Sequence, residues 1–235
     1  LVGWWKLDES SGTTLAGSSG NGYDGSSVRG SSRNGISYDI SSSISGKDDY
    51  SITGYDGTAD GALYMQDNQW INLISHVSAL TTILSNAFTI SVWCQFKAND
   101  GNENETIFNL YDTSSTEIWI YKEGGTGTGT GTVKFEIGNY TLETDTDFGN
   151  TGPWYYLTFT FDNNGTIKIF VNGIVEKSYY SSSLSNLSHT SAGTQYVSIG
   201  NRISSSSSNN DRLFAYIDDF RIYNTALTPL QIYNI

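Results

Sequence analysis

The sequence predicts an all-β fold, an antiparallel β-sandwich of two sheets, on three observations. Short runs with apolar residues at every second position recur from one end of the chain to the other. The segments between them are built from Gly, Ser, Thr, Asn and Asp, with only 2 prolines in the whole chain. The length, 235 residues, is long for an average domain but usual for a single β-sandwich. Alternating strands continue to the end without a linker, so residues 1–235 read as one domain.

Taken in order, Val2–Leu7 is a first strand, and Gly17–Gly25 is a loop dense in turn formers. Residues 26–58 are polar and weakly patterned, and read as a surface insertion holding one hairpin. Two strands follow, Gly61–Gln66 and Gln69–Leu73, with Asp67-Asn68 turning between them. His76–Leu84 is a short helix or an irregular crossover. Phe88–Lys97 is the clearest strand: Phe88, Ile90, Val92, Cys94 and Phe96 take one face, while Thr89, Ser91, Trp93, Gln95 and Lys97 take the other. Thr106–Leu110 and Glu117–Tyr121 come next, the second with Ile118 and Ile120 inward and Glu117, Trp119 and Tyr121 outward. Gly124–Thr132, alternating Gly and Thr, reads as a hairpin tip before Val133–Ile137.

Trp154–Asp162 is a central strand, and Asn163-Asn164-Gly165 is a hairpin turn. Asn172-Gly173 makes a second tight turn between Ile167–Asn172 and Ile174–Lys177. Residues 178–195 form a polar loop, Tyr196–Gly200 is a strand, and residues 204–208 are a serine loop. The chain closes on YIDDFRIYNTALTPLQI, a strand, a turn and one helical turn. Thr228 suits the N-cap, Pro229 the first helical position and Gln231 the capping box. Plain alternation places Asp218 on the buried side with Phe220 and Ile222. In all, about twelve to fourteen strands are expected.

Composition excludes several functions. The net charge of −12 repels phosphate backbones, against nucleic acid as a partner. No apolar run reaches membrane-spanning length, so no membrane insertion of this segment is expected. The chain starts directly in LVGWWKLDES, which reads as a mature terminus or as a segment excised from a longer chain. Cys94 is the only cysteine, so no disulfide closes within the chain, and on a buried strand face it reads as inert. The aromatic share of 14%, half of it Tyr, in an Asn-, Ser- and Gly-rich setting suits a recognition surface.

Several segments together resemble a known family. Trp5-Lys6-Leu7-Asp8-Glu9 with Ser19–Gly25, then Gly61-Ala62-Leu63, Phe88–Trp93, Trp154–Leu157, Phe170–Gly173, Ser198–Gly200 and Ile217–Ile232 occur in the order found in laminin-G-like, concanavalin A-like lectin/glucanase jelly rolls. The resemblance implies two antiparallel sheets of about six or seven strands each. It also implies a structural Ca²⁺, with Asp218 as the side-chain ligand and further oxygens from Asp8 and Asp24-Gly25. The alternative is that Asp218 and Asp219 cap amides and pair with Arg221 or Lys6. Neither His76 nor His189 has a partner at zinc-ligand spacing.

Two further sites are candidates. Trp93, Trp119 and Tyr121 project outward beside Gln95 and Glu117, a combination that suits a pyranose ring, unless loops fold over the rings and make a second core. The glucanases of the family carry carboxylates on one strand face, and Glu143, Asp145 and Asp147 share a side about 7 Å apart. A retaining pair needs roughly 5–5.5 Å between carboxyl groups. No glutamate ends that run and a loop follows it, so a solvated edge is the plainer reading. The expected function is a non-catalytic extracellular, cell-surface or virion-surface module that recognises glycan, with calcium as a structural ion. The alternatives are an adhesive or fibre-forming display domain and, last, a glycoside hydrolase.

Overall fold

The computed structural model describes residues 1–8, 14–31, 34–36, 56–57, 62–65, 69–97, 103–112, 117–124, 130–150, 152–185, 195–203 and 208–235. The first strands are β1 (Gly3–Trp5), β2 (Thr14–Leu15), β3 (Gly25–Ser31), β4 (Asn34–Ile36), β5 (Leu63–Met65) and β6 (Gln69–Asn72). Helix α1 (Val77–Leu84) then carries the chain across to β7 (Phe88–Phe96). The middle of the chain gives β8 (Glu105–Asp112), β9 (Ile118–Lys122), β10 (Gly131–Ile137), β11 (Tyr140–Phe148) and β12 (Tyr155–Phe161). It continues through β13 (Thr166–Val171), β14 (Ile174–Tyr180), β15 (Gln195–Ile199), β16 (Asn201–Ile203) and β17 (Ser208–Arg212) to β18 (Ala215–Tyr223) and helix α2 (Pro229–Tyr233).

These strands form the expected antiparallel sandwich. A seven-stranded sheet runs β1-β18-β7-β12-β13-β14, with β5 also on β18. A nine-stranded sheet runs β11-β10-β9-β8-β15-β6-β3-β2, with β4 on β3. The first strand lies against the last, Trp5 opposite Phe220. Eighteen strands among the described residues exceed the number alternation predicts, because pairs as short as β2 and β4 cannot show a period. The β16–β17 ribbon is a separate two-stranded sheet; its β17 begins at Ser208, where a serine loop was expected to end.

The alternation does what the sequence promised in the long strands. Phe88, Ile90, Val92, Cys94 and Phe96 are fully buried, as are Leu157 and Phe159 on β12 and Phe135 and Ile137 on β10. Phe135 from the nine-stranded sheet meets Phe88 and Phe159 from the other, ring centres 6.3 and 5.6 Å apart. Each such ring stabilises the sandwich by about 1.5–3 kcal/mol through burial. Asn172 and Gly173 both take positive φ, 51° and 79°, the backbone a tight two-residue hairpin needs. At the end of the chain the Thr228 hydroxyl accepts from the Gln231 amide, and the Gln231 side chain accepts from the Thr228 amide. The expected capping box starts α2.

Two expectations are corrected. Residues 26–31 are not a surface excursion: β3 pairs with β6 from Ser26 opposite Asn72 to Arg29 opposite Gln69. The hairpin expected there is β3–β4, while residues 37–55 lie outside the described residues. Nor does Asp218 share a side with Phe220 and Ile222. The pairing of β18 with β7 shifts between Asp218 and Arg221, and Asp219 has φ of 52°. This bulge inserts one extra residue and flips the parity of the strand. Ile217, Phe220 and Ile222 are therefore buried in the core, and Asp218 stands across from Trp93 on the outer side.

Candidate functional site

The proposed sugar platform divides between two sheets. Trp93 is on β7 of the seven-stranded sheet, whereas Trp119 and Tyr121 are on β9 of the nine-stranded sheet. They face opposite sides of the sandwich.

On the nine-stranded side the rings are closed in. Trp119 and Tyr121 stack at 3.7 Å between ring centres, and each is only 6% exposed. The Arg202 guanidinium, on β16, lies 4.0 Å over the Trp119 ring. It donates to both Glu117 oxygens, at 2.8 and 2.7 Å, and Asn109 donates to the same carboxylate at 2.8 Å. This two-point bond raises the Arg202 pKa. The Trp119 indole N–H donates to Thr106 at 2.9 Å, and the Tyr121 hydroxyl donates to Glu136 at 2.8 Å. Burial, then the bond to Glu136, pushes the Tyr121 pKa up, so the phenol stays a neutral donor. Both aromatic donors and the Glu117 carboxylate are engaged within the protein. The cover comes from the β16–β17 ribbon that packs on β8, which no alternation in the serine-rich stretch announced.

On the seven-stranded side a groove remains open. Trp93 stacks on Tyr156, its cross-strand partner, at 5.1 Å and 30°. Trp154, just before β12, and Tyr233, on α2, complete the walls of a cavity of about 370 Å³. Ile232 anchors α2 beneath it, buried against Tyr156 and Phe170. The Asn172-Gly173 turn forms one end, with Gly173 facing Tyr233 so that a β-carbon there would lie 3.5 Å from it. Asn172 is fixed there, its Oδ1 accepting from the Tyr156 amide at 2.9 Å. Burial raises the Tyr156 pKa, which keeps that ring neutral. Of the groove's residues the sequence marked only Trp93. The missed ones carry a weak signal, aromatic residues flanking strand starts and the chain end.

The fold brings together the segments that carry the acidic residues named as calcium ligands: the Asp219 amide donates to the Lys6 carbonyl, and Trp5 bridges to Gly17. Asp8 is exposed beyond β1. The Asp24 carboxylate accepts from the Gly17 amide at 2.9 Å, and the His76 ring nitrogen Nε2 donates to the Asp24 carbonyl at 2.9 Å. Gly25 is a β3 residue paired with Leu15. The bulge turns Asp218 toward Trp93, and its neighbour Asp219 is the carboxylate that takes bonds from Trp4 and Arg221. Among the described residues no three His, Cys, Asp or Glu side chains come together as a metal-binding group. A calcium ion needs six to eight oxygens, more than these side chains bring together, so a site here would have to draw on backbone carbonyls as well.

The carboxylate run lies on β11, the edge of the nine-stranded sheet. Glu143, Asp145 and Asp147 all project to solvent. Asp145 pairs with Lys177 at 2.6 Å, and Glu143 accepts from Thr132 at 2.8 Å. Their neighbour Thr146 bonds to Glu176 of β14, so this edge is a seam between the two sheets. A buried ion pair was missed entirely. Lys122 donates to Glu105 at 2.6 Å, both 1% exposed, and it lies 5.5 Å over the Phe96 ring of the opposite sheet. Cys94 sits near this pair, and its thiol pKa is pushed up by burial and then by Glu105. It is a poor nucleophile in that setting.

Comparison with known proteins agrees with this architecture. In solved structures the fold matches domain 4 of AbnA, an extracellular GH43 arabinanase from Geobacillus stearothermophilus in complex with arabinotriose. That match has a TM-score of 0.57 and 19% identity, over 100% of this chain and 97% of that one. It also matches a botulinum neurotoxin type C chain, a toxin whose cell entry depends on two ganglioside molecules, at TM-score 0.58 and 14% identity, over 97% and 51%. The binding domain of Paraclostridial Mosquitocidal Protein 1 matches at 0.60 and 15%, over 100% and 51%. The chain thus spans about half the length of the toxin chains, and at these identities the likeness is one of fold. A search of curated proteins gave no match. The Laminin_G_3 family model, described as the concanavalin A-like lectin/glucanases superfamily, matches residues 66–233. On that match the chain belongs to the concanavalin A-like lectin/glucanases superfamily.

Proposed function

We propose that this domain is a non-catalytic, extracellular carbohydrate-binding module and that sugar binds in the groove of the seven-stranded sheet. The carrying observation is the set of aromatic residues Trp93, Trp154 and Tyr233, with Tyr156 buried against Trp93, around a cavity of about 370 Å³. Flat aromatic faces carry negative charge density and attract the C–H faces of a sugar ring. The Asn172 amide supplies a donor for a hydroxyl at one end. Volume and lining fall in the lower part of the range for small-molecule sites, about 300–1,000 Å³. The family membership and the arabinotriose- and ganglioside-linked neighbours support the ligand class. A non-catalytic role is supported by the carboxylate run on β11, where Asp145 is paired with Lys177 and Glu143 is bonded to Thr132 at a sheet edge. Among the described residues no helix is long and apolar enough to cross a membrane. Binding to immobilised oligosaccharides tests the proposal: it is lost in Trp154→Ala and kept in Tyr121→Phe, and the reverse pattern would overturn it.

One observation favours a second reading, a display domain that associates with copies of itself. Ile174, Leu230 and Tyr233 are 69%, 71% and 73% exposed, at the edge strand β14 and the adjoining α2. Sedimentation showing a dimer that Leu230→Asp dissolves, together with no glycan binding, would place this reading first.

A further inference from the structure

We infer that the groove takes a neutral saccharide and rejects acidic ones, such as sialylated or sulfated glycans; this rests on the reading of the groove as a sugar site. None of the side chains lining the groove is charged. An anionic sugar entering it would lose water without meeting a counter-charge, which is strongly unfavourable. The walls add to this, because the rings of Trp93, Trp154 and Tyr233 line the groove, and aromatic faces attract C–H groups and repel carboxylate or sulfate.

The charged groups of this sheet lie outside the groove's lining: Lys97 bonds to Gln95 and sits over the Tyr216 ring, and Lys168 is two positions along β13 from Phe170. Asp218, which stands directly across from Trp93, brings no cation to the floor of the groove. The cation on the same strand, Arg221, is committed to the Asp219 carboxylate, at 2.9 Å through Nε and 2.7 Å through Nη2. It also donates to the Tyr223 hydroxyl at 3.5 Å. The chain as a whole carries −12, which adds a long-range repulsion for anions.

The contrast with the other sheet sharpens the point. There, too, an aromatic pair lies beside a cation, but Arg202 is held by both oxygens of Glu117. Neither outer face has, among the described residues next to its aromatic pair, an arginine left over for an acidic sugar.

The test is an oligosaccharide array on which each backbone appears in a neutral form and in a terminally sialylated or sulfated form, probed with the wild-type domain, Trp154→Ala and Tyr233→Ala. Every backbone that binds is expected to bind at least about tenfold more weakly in its acidic form, and both variants are expected to lose the neutral binding. Equal or tighter binding of the acidic forms, still lost in Trp154→Ala, would overturn the neutral preference and leave the groove as the sugar site. Binding that neither variant changes, or no binding to any backbone, would overturn the groove reading and this inference with it.

Discussion

The two outer faces of this sandwich carry the same kinds of residue and differ in what they leave free. On the nine-stranded sheet, Trp119 and Tyr121 stack, but Thr106 and Glu136 take their polar hydrogens, and Arg202, held by Glu117, lies over the Trp119 ring. On the seven-stranded sheet, Trp93 and Tyr156 stack in the same way, yet Trp154 and Tyr233 stand apart and leave a cavity between them. Outward aromatic residues on a strand therefore do not mark a ligand site by themselves. What distinguishes a site is ring area that no neighbouring side chain covers.

Substitutions on the closed face should act on stability and not on binding. The largest effect is expected from Trp119→Ala, which removes a ring 6% exposed and should destabilise the fold by about 3–5 kcal/mol, read by chemical unfolding. Arg202→Ala should cost about 1–3 kcal/mol, because it leaves Glu117 with only the Asn109 donor and uncovers the Trp119 ring. At a temperature where both stay folded, their saccharide affinity should equal that of the wild type. A loss of affinity without a loss of stability would erase the distinction between the faces.

On the open face a stability change should feed into binding. Thr228→Ala removes the cap of α2 and should cost about 1 kcal/mol. Because α2 carries Ile232 and Tyr233, saccharide affinity should fall several-fold as well. Unchanged affinity would show that α2 is not a wall of the site. The smallest effect is expected from removing divalent cations. With Asp24 bonded to Gly17 and Asp218 turned toward Trp93, chelator should move the melting temperature by less than about 1 °C. A fall of several degrees would mean that backbone oxygens complete an ion site around these acids.

Much of the fold was legible because long strands obey strict parity. Phe88–Phe96 and Tyr155–Phe161 put their alternate apolar residues in the core as their sequences say, although Thr89, Ser91, Thr158 and Thr160 on the opposite face are buried too, and the Thr228 capping box follows from local chemistry alone. Parity also failed where it was trusted most. A bulge at Asp219 is invisible to a period of two, and it moved Asp218 from the core side to the outer side. Conversely, parity held a signal that was not used. Lys122 is in phase with the buried Ile118 and Ile120, which places its ammonium between the sheets, where Glu105 meets it. The groove was the least legible part. Trp93, Trp154 and Tyr233 are far apart in sequence, and only the pairing of β7 with β12 and the docking of α2 bring them together. Outward alternation grouped Trp93 with Trp119 because it cannot tell which sheet a strand joins.

The most direct test of the open-groove account is to follow the tryptophan indole N–H signals by NMR while a neutral oligosaccharide is added. The signals of Trp93 and Trp154 should shift with saturation, while those of Trp119 and of the buried Trp5 and Trp70 stay in place. Movement of Trp119 with Trp93 and Trp154 unmoved would contradict it.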